Sequence, residues 1–107
     1  IILDQHQQLI CIREEADANE NEKKIHQVNT GIYCFDRQFL EDAVSALKPD
    51  NNQGEYYLTD TIEIAQKNKQ KTGVVTIADW RQVIGVNTLE DLDKAQSLIL
   101  QSQNELP

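Results

Sequence analysis

The stretch Asn51 to Asp60, NNQGEYYLTD, gathers a glycine, two adjacent tyrosines, a glutamate, a threonine and an aspartate just ahead of an apolar-periodic run. A loop that closes over a small ligand has a use for each. The rings of Tyr56 and Tyr57 make a wall, the hydroxyls there and on Thr59 donate, and Gly54 permits close backbone approach. The same residues also suit a helix lead-in whose tyrosines simply pack. Asn29, in VNTG at Val28 to Gly31, offers an amide on a kinked backbone, because a glycine inside a strand pattern marks a bulge or a close approach. A kink with no ligand reads equally well. Asn87, in GVN, follows a short apolar run and precedes a helix, and ligands of open α/β sheets gather beyond the carboxyl ends of strands. Its amide oxygen is a neutral hard donor that magnesium accepts beside carboxylate and phosphate oxygens. As a turn residue ahead of Thr88 it needs no ligand. Glu14 lies in REEADANENEKK, Arg13 to Lys24, which composition alone makes a solvated loop or a loose helical turn.

Several elements must position these groups. Ile1 to Asp4 and Gln8 to Ile12 read as two strands around the polar turn Gln5-His6-Gln7. Ile25 to Phe35 is rich in strand formers, interrupted at Asn29-Thr30-Gly31. Asp36 is a helix cap, followed by Phe39, Leu40, Ala43, Val44 and Leu47 at helical spacing, and Pro49 stops that helix. Leu58, Ile62, Ala65 and Ile64 form the apolar stripe of a second helix. Val74 to Ile77 and Val83 to Val86 read as short strands, with Trp80 between them. Thr88 and Asp91 make a capping box for a last helix, on which Leu89, Leu92, Gln96 and Ile99 share a face with Ala95 and Leu98 beside it. Strands alternating with helices predict an α/β fold, its sheet at least partly parallel. One domain is expected over residues 1–103, with a tail or linker at 104–107.

Bulk properties narrow the partners. The formal net charge of the 107 residues is −8, which repels phosphate backbones and argues against nucleic acid. No apolar run approaches the roughly 20 residues that span a bilayer. With no methionine at all, the sequence reads as an excised piece of a longer chain. Cys11 and Cys34 sit in apolar runs without a CxxC partner, so two buried free thiols in a reduced, cytoplasmic setting are expected. His6 and His26 read as surface residues.

Four segments in order, CIREEADA (Cys11 to Ala18), VNTGIYCFD (Val28 to Asp36), NNQGEYYLTDTIEIA (Asn51 to Ala65) and GVNTLEDLDKA (Gly85 to Ala95), carry a resemblance that covers Ile1 to about Leu98. Together they resemble the later half of the pyrophosphorylase domain of bacterial bifunctional N-acetylglucosamine-1-phosphate uridyltransferase / glucosamine-1-phosphate acetyltransferases. The resemblance implies a partial doubly wound, Rossmann-like nucleotide-diphospho-sugar transferase fold with a mixed sheet. It implies that UTP and N-acetylglucosamine 1-phosphate are the substrates, with UDP-N-acetylglucosamine and pyrophosphate the products. By motif, Glu14 would accept from the amino-sugar, and Asn29 would hold sugar hydroxyls. Tyr57 and Thr59 would line the acetamido-sugar and its phosphate, and Asn87 would ligate Mg2+. The second protein ligand of magnesium, an Asp, and the Gly-rich nucleotide loop are expected upstream of Ile1. All five side chains should then converge at one rim of the sheet. Ala16 stands where the family usually has Lys. Two alternatives remain: a non-catalytic module pairing with a second copy through an exposed sheet edge, and a nucleotidyltransferase for a different sugar.

Overall fold

Asp4 organises the first turn of the chain. In the computed structural model, which describes residues 1–104, its Oδ1 accepts from the backbone N–H groups of His6 (2.8 Å) and Gln8 (2.9 Å). This braces Gln7 in the left-handed region at φ 62°, a conformation that side chains other than glycine's seldom adopt. The turn joins β1 (Ile2–Leu3) to β2 (Leu9–Cys11) as an antiparallel hairpin, with Ile2 opposite Cys11 and Leu3 opposite Leu9 across an irregularity in register. Both strands are shorter than the sequence predicts.

Two single 3₁₀ turns follow, Glu15–Asp17 and Glu22–Lys24, so the polar stretch after β2 does form loose helical turns. Helix α1 (Arg37–Ala46) starts where expected: Asp36 Oδ2 accepts from the Phe39 N–H at 2.9 Å. Helix α2 (Asp60–Lys67) packs against β2 on one side and α1 on the other. Small residues make that contact. Ala43, Thr61 and Ala65 are buried, Thr61 completely (0% exposed), beneath Leu9, Cys11 and Ile12. The Thr61 hydroxyl donates to the Leu58 carbonyl at 2.7 Å, which satisfies it without solvent. Of the apolar stripe expected here, Ala65 is buried and Ile62 and Ile64 are half-buried. Leu58, ahead of the helix, is 43% exposed, and Thr61 is buried in addition.

The parallel sheet does not form. Among the described residues the only sheet is the β1–β2 hairpin, and Ile25 to Phe35, Val74 to Ile77 and Val83 to Val86 contain no strand. A strand exists only where a neighbour takes up its backbone N–H and C=O groups. These β-prone runs have none, and Val28 (72%) and Ile32 (71%) stay exposed. The α/β expectation thus narrows to three helices and a two-stranded antiparallel sheet. Cys34, expected to be buried, is exposed for the same reason, whereas Cys11 is buried in β2. His6 and His26 are on the surface, as expected.

The chain forms two compact units, Ile1–Val74 and a second from Val75 onward. Within the second, Asp79 caps the 3₁₀ turn Trp80–Val83 and pairs with the Arg81 guanidinium at 2.8 and 2.9 Å, which holds the Asp79 carboxyl below the usual range. Helix α3 (Leu89–Asn104) buries no residue fully. Its half-buried positions are Asp91, Ala95 and Leu98, while the face predicted from Leu89, Leu92 and Ile99 is exposed. Lys94 lies 5.5 Å from the Trp80 ring centroid and ties the helix to the 3₁₀ turn. Asn104, assigned from sequence to the tail, is the last residue of α3, and the rest of that tail (105–107) lies outside the described residues.

Two measurements check this packing and capping. Ala65→Leu adds three carbons where α2 meets β2 and α1, and should cost about 1–3 kcal/mol in chemical denaturation, whereas Ser45→Ala on the exposed face of α1 should stay within about 0.5 kcal/mol. At the head of α3, Asp91 Oδ2 accepts from the N–H groups of Asn87 (3.1 Å) and Thr88 (3.0 Å), and Thr88 Oγ1 accepts from the Asp91 N–H (3.1 Å). The Asn87 bond, then those to Thr88, hold the Asp91 carboxyl below its ordinary value. A lowered pKa means the cap is intact above the ordinary carboxylate range and is lost as pH falls through the lowered value. In an NMR titration the Asn87 and Thr88 amides should move together, with a midpoint below that of a free aspartate.

Candidate functional site

Glu14 and Thr59 meet because the core brings their elements together. The chain leaves β2 at Cys11, passes through buried Ile12, and reaches Glu14 in extended backbone ahead of the first 3₁₀ turn. Thr59 stands at the entry to α2 and is itself buried. Since α2 packs on β2, the Thr59 hydroxyl comes within 3.4 Å of Glu14 Oε1 and donates to it. That length is at the long end of the hydrogen-bond range, so the pair is positioned rather than locked.

Asn29 shares a hollow with Glu14. A cavity of about 420 Å³ is lined by both residues together with Arg13, Lys23, Ile25 and Val28. The Ile1 backbone nitrogen donates to the Gln27 carbonyl at 3.0 Å and holds this segment beside the hairpin. Asn29 Oδ1 accepts from the Gly31 N–H at 3.2 Å, and Asn29 Nδ2 donates to the Tyr33 hydroxyl. Gly31 takes φ 79°, so the kink read from the NTG triplet is present, and Asn29 braces it. An amide has two acceptor lone pairs and two N–H donors, so one of each is left for a ligand.

The loop that leads to Thr59 is built by two asparagines. Asn51 Oδ1 accepts from the N–H groups of Gln53 (3.1 Å) and Glu55 (3.2 Å), and the loop turns at Gly54 with φ 65°. Asn52 docks the loop onto the 3₁₀ turn after Glu14. Its backbone N–H donates to Asp17 Oδ1 at 2.8 Å, and its side-chain amide donates to the Ala16 carbonyl. Ala16 is exposed and serves this contact through its backbone, which any residue type supplies. Asn52 and Asp17 were not picked out from sequence. Asp17 sat in a stretch whose composition said only that it was solvated, and the visible signal was the Asn pair ahead of a glycine.

Tyr57 is half-buried, and its hydroxyl has no hydrogen-bond partner among the described residues. The same holds for Asp17 Oδ2. Burial, and then the Asp17 carboxylate, push the phenol up. The two groups are near enough to interact electrically without closing a bond of normal geometry. Each is thus the other's polar neighbour, and the phenol faces the carboxylate. Glu14 also borders a second cavity of about 430 Å³, shared with Asp17, Asp60, Glu63, Lys48 and Lys67. There burial, and then Glu63, raise the Asp60 carboxyl, while Arg13 opposes them.

Glu14, Asn29, Tyr57 and Thr59 therefore all belong to the first unit, with Glu14 common to the Thr59 bond and the Asn29 hollow. Asn87 belongs to the second unit, where its N–H is held by Asp91 at the head of α3. Among the described residues no group of three or more His, Cys, Asp or Glu side chains is placed to hold a metal. Magnesium takes six oxygens in near-ideal octahedral geometry, and the single amide oxygen of Asn87 does not make such a site. Among the described residues no helix is long and apolar enough to cross a membrane.

No family model matches the chain. It is 39% identical over 105 residues to the bifunctional protein GlmU of Streptococcus uberis, an alignment covering 98% of this chain and 23% of the relative. It is 47% identical over 88 residues to the Clostridium perfringens protein of the same name, covering 82% of this chain and 19% of the relative. The Clostridioides difficile protein is 40% identical over 105 residues, with 98% and 23% covered. The chain thus spans about a fifth of the length of the curated relatives it matches. At this identity over most of its residues, the chain is homologous to a segment of bacterial bifunctional GlmU, the family its four motifs resemble.

Proposed function

We propose that this chain forms the acceptor-sugar side of a sugar-1-phosphate nucleotidyltransferase site that makes UDP-N-acetylglucosamine. The observation that carries the reading is Glu14, bonded to Thr59 and bordering the same hollow as Asn29. Glu14 and Asn29, from separate parts of the sequence, border one volume suited to a monosaccharide, and Thr59 is tied to it through its bond to Glu14. Glu14 contributes an ionised acceptor for sugar O–H or N–H groups, and charge-assisted bonds are the stronger kind. Asn29 offers its remaining donor and acceptor to sugar hydroxyls.

The reaction itself asks for positioning. A phosphate oxygen of N-acetylglucosamine 1-phosphate forms a new bond to the α-phosphorus of UTP. The bond to the bridging oxygen breaks in line, and its electron pair leaves with pyrophosphate. The chain's part is to hold the sugar so that its phosphate points at the nucleotide. With a net charge of −8, the surface does not attract that phosphate as a whole, so Glu14 faces the sugar, and Arg13 and Lys23 are the cations bordering the hollow. Magnesium would offset charge on the phosphates, and Asn87, the ligand that the family motif implies, could contribute a single oxygen to it. The sugar is set by the contacts of Tyr57 and Thr59 with the acetamido group.

Isothermal titration of the 107-residue chain should detect N-acetylglucosamine 1-phosphate binding, and Glu14→Ala should weaken it by roughly tenfold to a hundredfold. The four glycines here do not form a Gly-rich nucleotide loop, so the same chain incubated with UTP and the sugar phosphate should release no pyrophosphate. Unchanged affinity in Glu14→Ala would end the assignment.

A second reading has its own observation. Val28 (72%), Ile32 (71%) and Tyr56 (69%) are exposed on the first unit, and unpaired β-prone segments invite pairing with another copy. Sedimentation velocity decides it: a monomer that binds sugar phosphate supports the first reading, and a dimer that does not bind it supports this one.

A further inference from the structure

Three bonds cross between the loop after β2 and the loop before α2. One is the Thr59–Glu14 contact at 3.4 Å. The other two belong to Asn52: its N–H to Asp17 Oδ1 at 2.8 Å and its side-chain amide to the Ala16 carbonyl. The pairs are 35 and 36 residues apart in sequence, so they fix tertiary placement. The Asn52 loop is already rigid, since Asn51 binds the Gln53 and Glu55 N–H groups and the Glu55 carbonyl. A rigid loop held at one point transmits its position to the residues that leave it, and those are Tyr57 and Thr59. The 3₁₀ turn at the other end is equally short, with the Asp17 N–H donating to the Glu14 carbonyl at 3.0 Å. The Asp17–Asn52 pair therefore sets how far Glu14 stands from Thr59.

We propose that Asp17 and Asn52 are positioning residues: they form a latch that holds Glu14 and Thr59 at the separation the sugar phosphate requires. Neither is needed to touch the ligand. The proposal deepens the acceptor-sugar reading and rests on it. Two features support it beyond the bonds themselves. Asp17 Oδ1 is engaged by Asn52 while Oδ2 is buried without a partner beside the Tyr57 phenol, so one carboxylate borders both arms of the loop. The Thr59–Glu14 contact is too long to hold the two loops alone.

The experiment uses the full 107-residue chain, read by amide NMR and by titration with N-acetylglucosamine 1-phosphate. Each substitution is read at the end of the latch remote from it in sequence. Asp17→Ala should move the Thr59 amide, and Asn52→Ala, which leaves the backbone bond to Asp17 in place, should move the Glu14 amide. Each should weaken sugar-phosphate affinity about threefold to tenfold, the range for one partly exposed hydrogen bond. Asp17→Asn keeps the Oδ1 acceptor and should return both the Thr59 shift and the affinity to within about twofold of the parent. A merely structural role lowers the melting temperature without that selective rescue. Remote amides that overlay the parent in both alanine variants overturn the latch, as does an Asp17→Asn variant that recovers neither readout. If Asp17→Ala does not fold, the Asn52→Ala shift at Glu14 decides. If the parent chain binds no sugar phosphate, the acceptor-sugar reading fails, and the remote amides still judge the latch separately.

Discussion

The close approach of α2 to β2 is the constraint on which the first unit depends. It is possible because the contact positions are small: Ala65 and Thr61 on α2, with Ala43 on the facing turn of α1. Interiors pack to crystal-like density, so the side chains at a contact decide how near two backbones come. Glu14 stands three residues beyond the end of β2, and Thr59 directly precedes α2. Their meeting is a by-product of the core. Nothing in the charged loop itself would bring a carboxylate to a threonine 45 residues away.

The local chemistry of the chain was largely legible. Asp36 and the Thr88–Asp91 pair cap helices as their sequence positions imply, because a cap is a bond between near neighbours and needs no tertiary context. The hairpin was legible from its apolar runs, although the residue that stabilises its turn, Asp4, was not singled out. Sheet structure was legible only where both partners are near in sequence. The runs around Ile32, Val75 and Val86 have strand composition and no strand, since composition gives a preference and pairing supplies the bonds. Leu58 misled because it lies ahead of the helix and stays exposed, while Ala65 of the same stripe is buried together with Thr61, whose hydroxyl is satisfied within its own turn.

The candidate site divides along the same line. Asn29 and the tyrosine loop were visible as residue types in unusual company. Glu14 was not, being one acid among many in REEADANENEKK, and only the family resemblance singled it out. Asn29 shows how a kink and the binding role proposed for it can share one side chain. Its amide spends one acceptor on Gly31 and one donor on Tyr33, so the group is oriented before any ligand arrives. That lowers the entropy a ligand must otherwise supply on binding. Asn87 was legible as the residue at a helix head, and its backbone is held there by Asp91.

The contrast between the two cysteines has a chemical consequence. Thiolate, and not thiol, is the nucleophile, and burial raises the Cys11 thiol against the opposing pull of Arg13, whose guanidinium donates to its sulfur at 3.7 Å. Cys34 stands exposed, five residues after Asn29 in the same segment. The native sequence thereby carries one addressable sulfur and one shielded sulfur. A fluorophore or spin label delivered by maleimide attaches selectively beside the Asn29 kink, with no engineered residue.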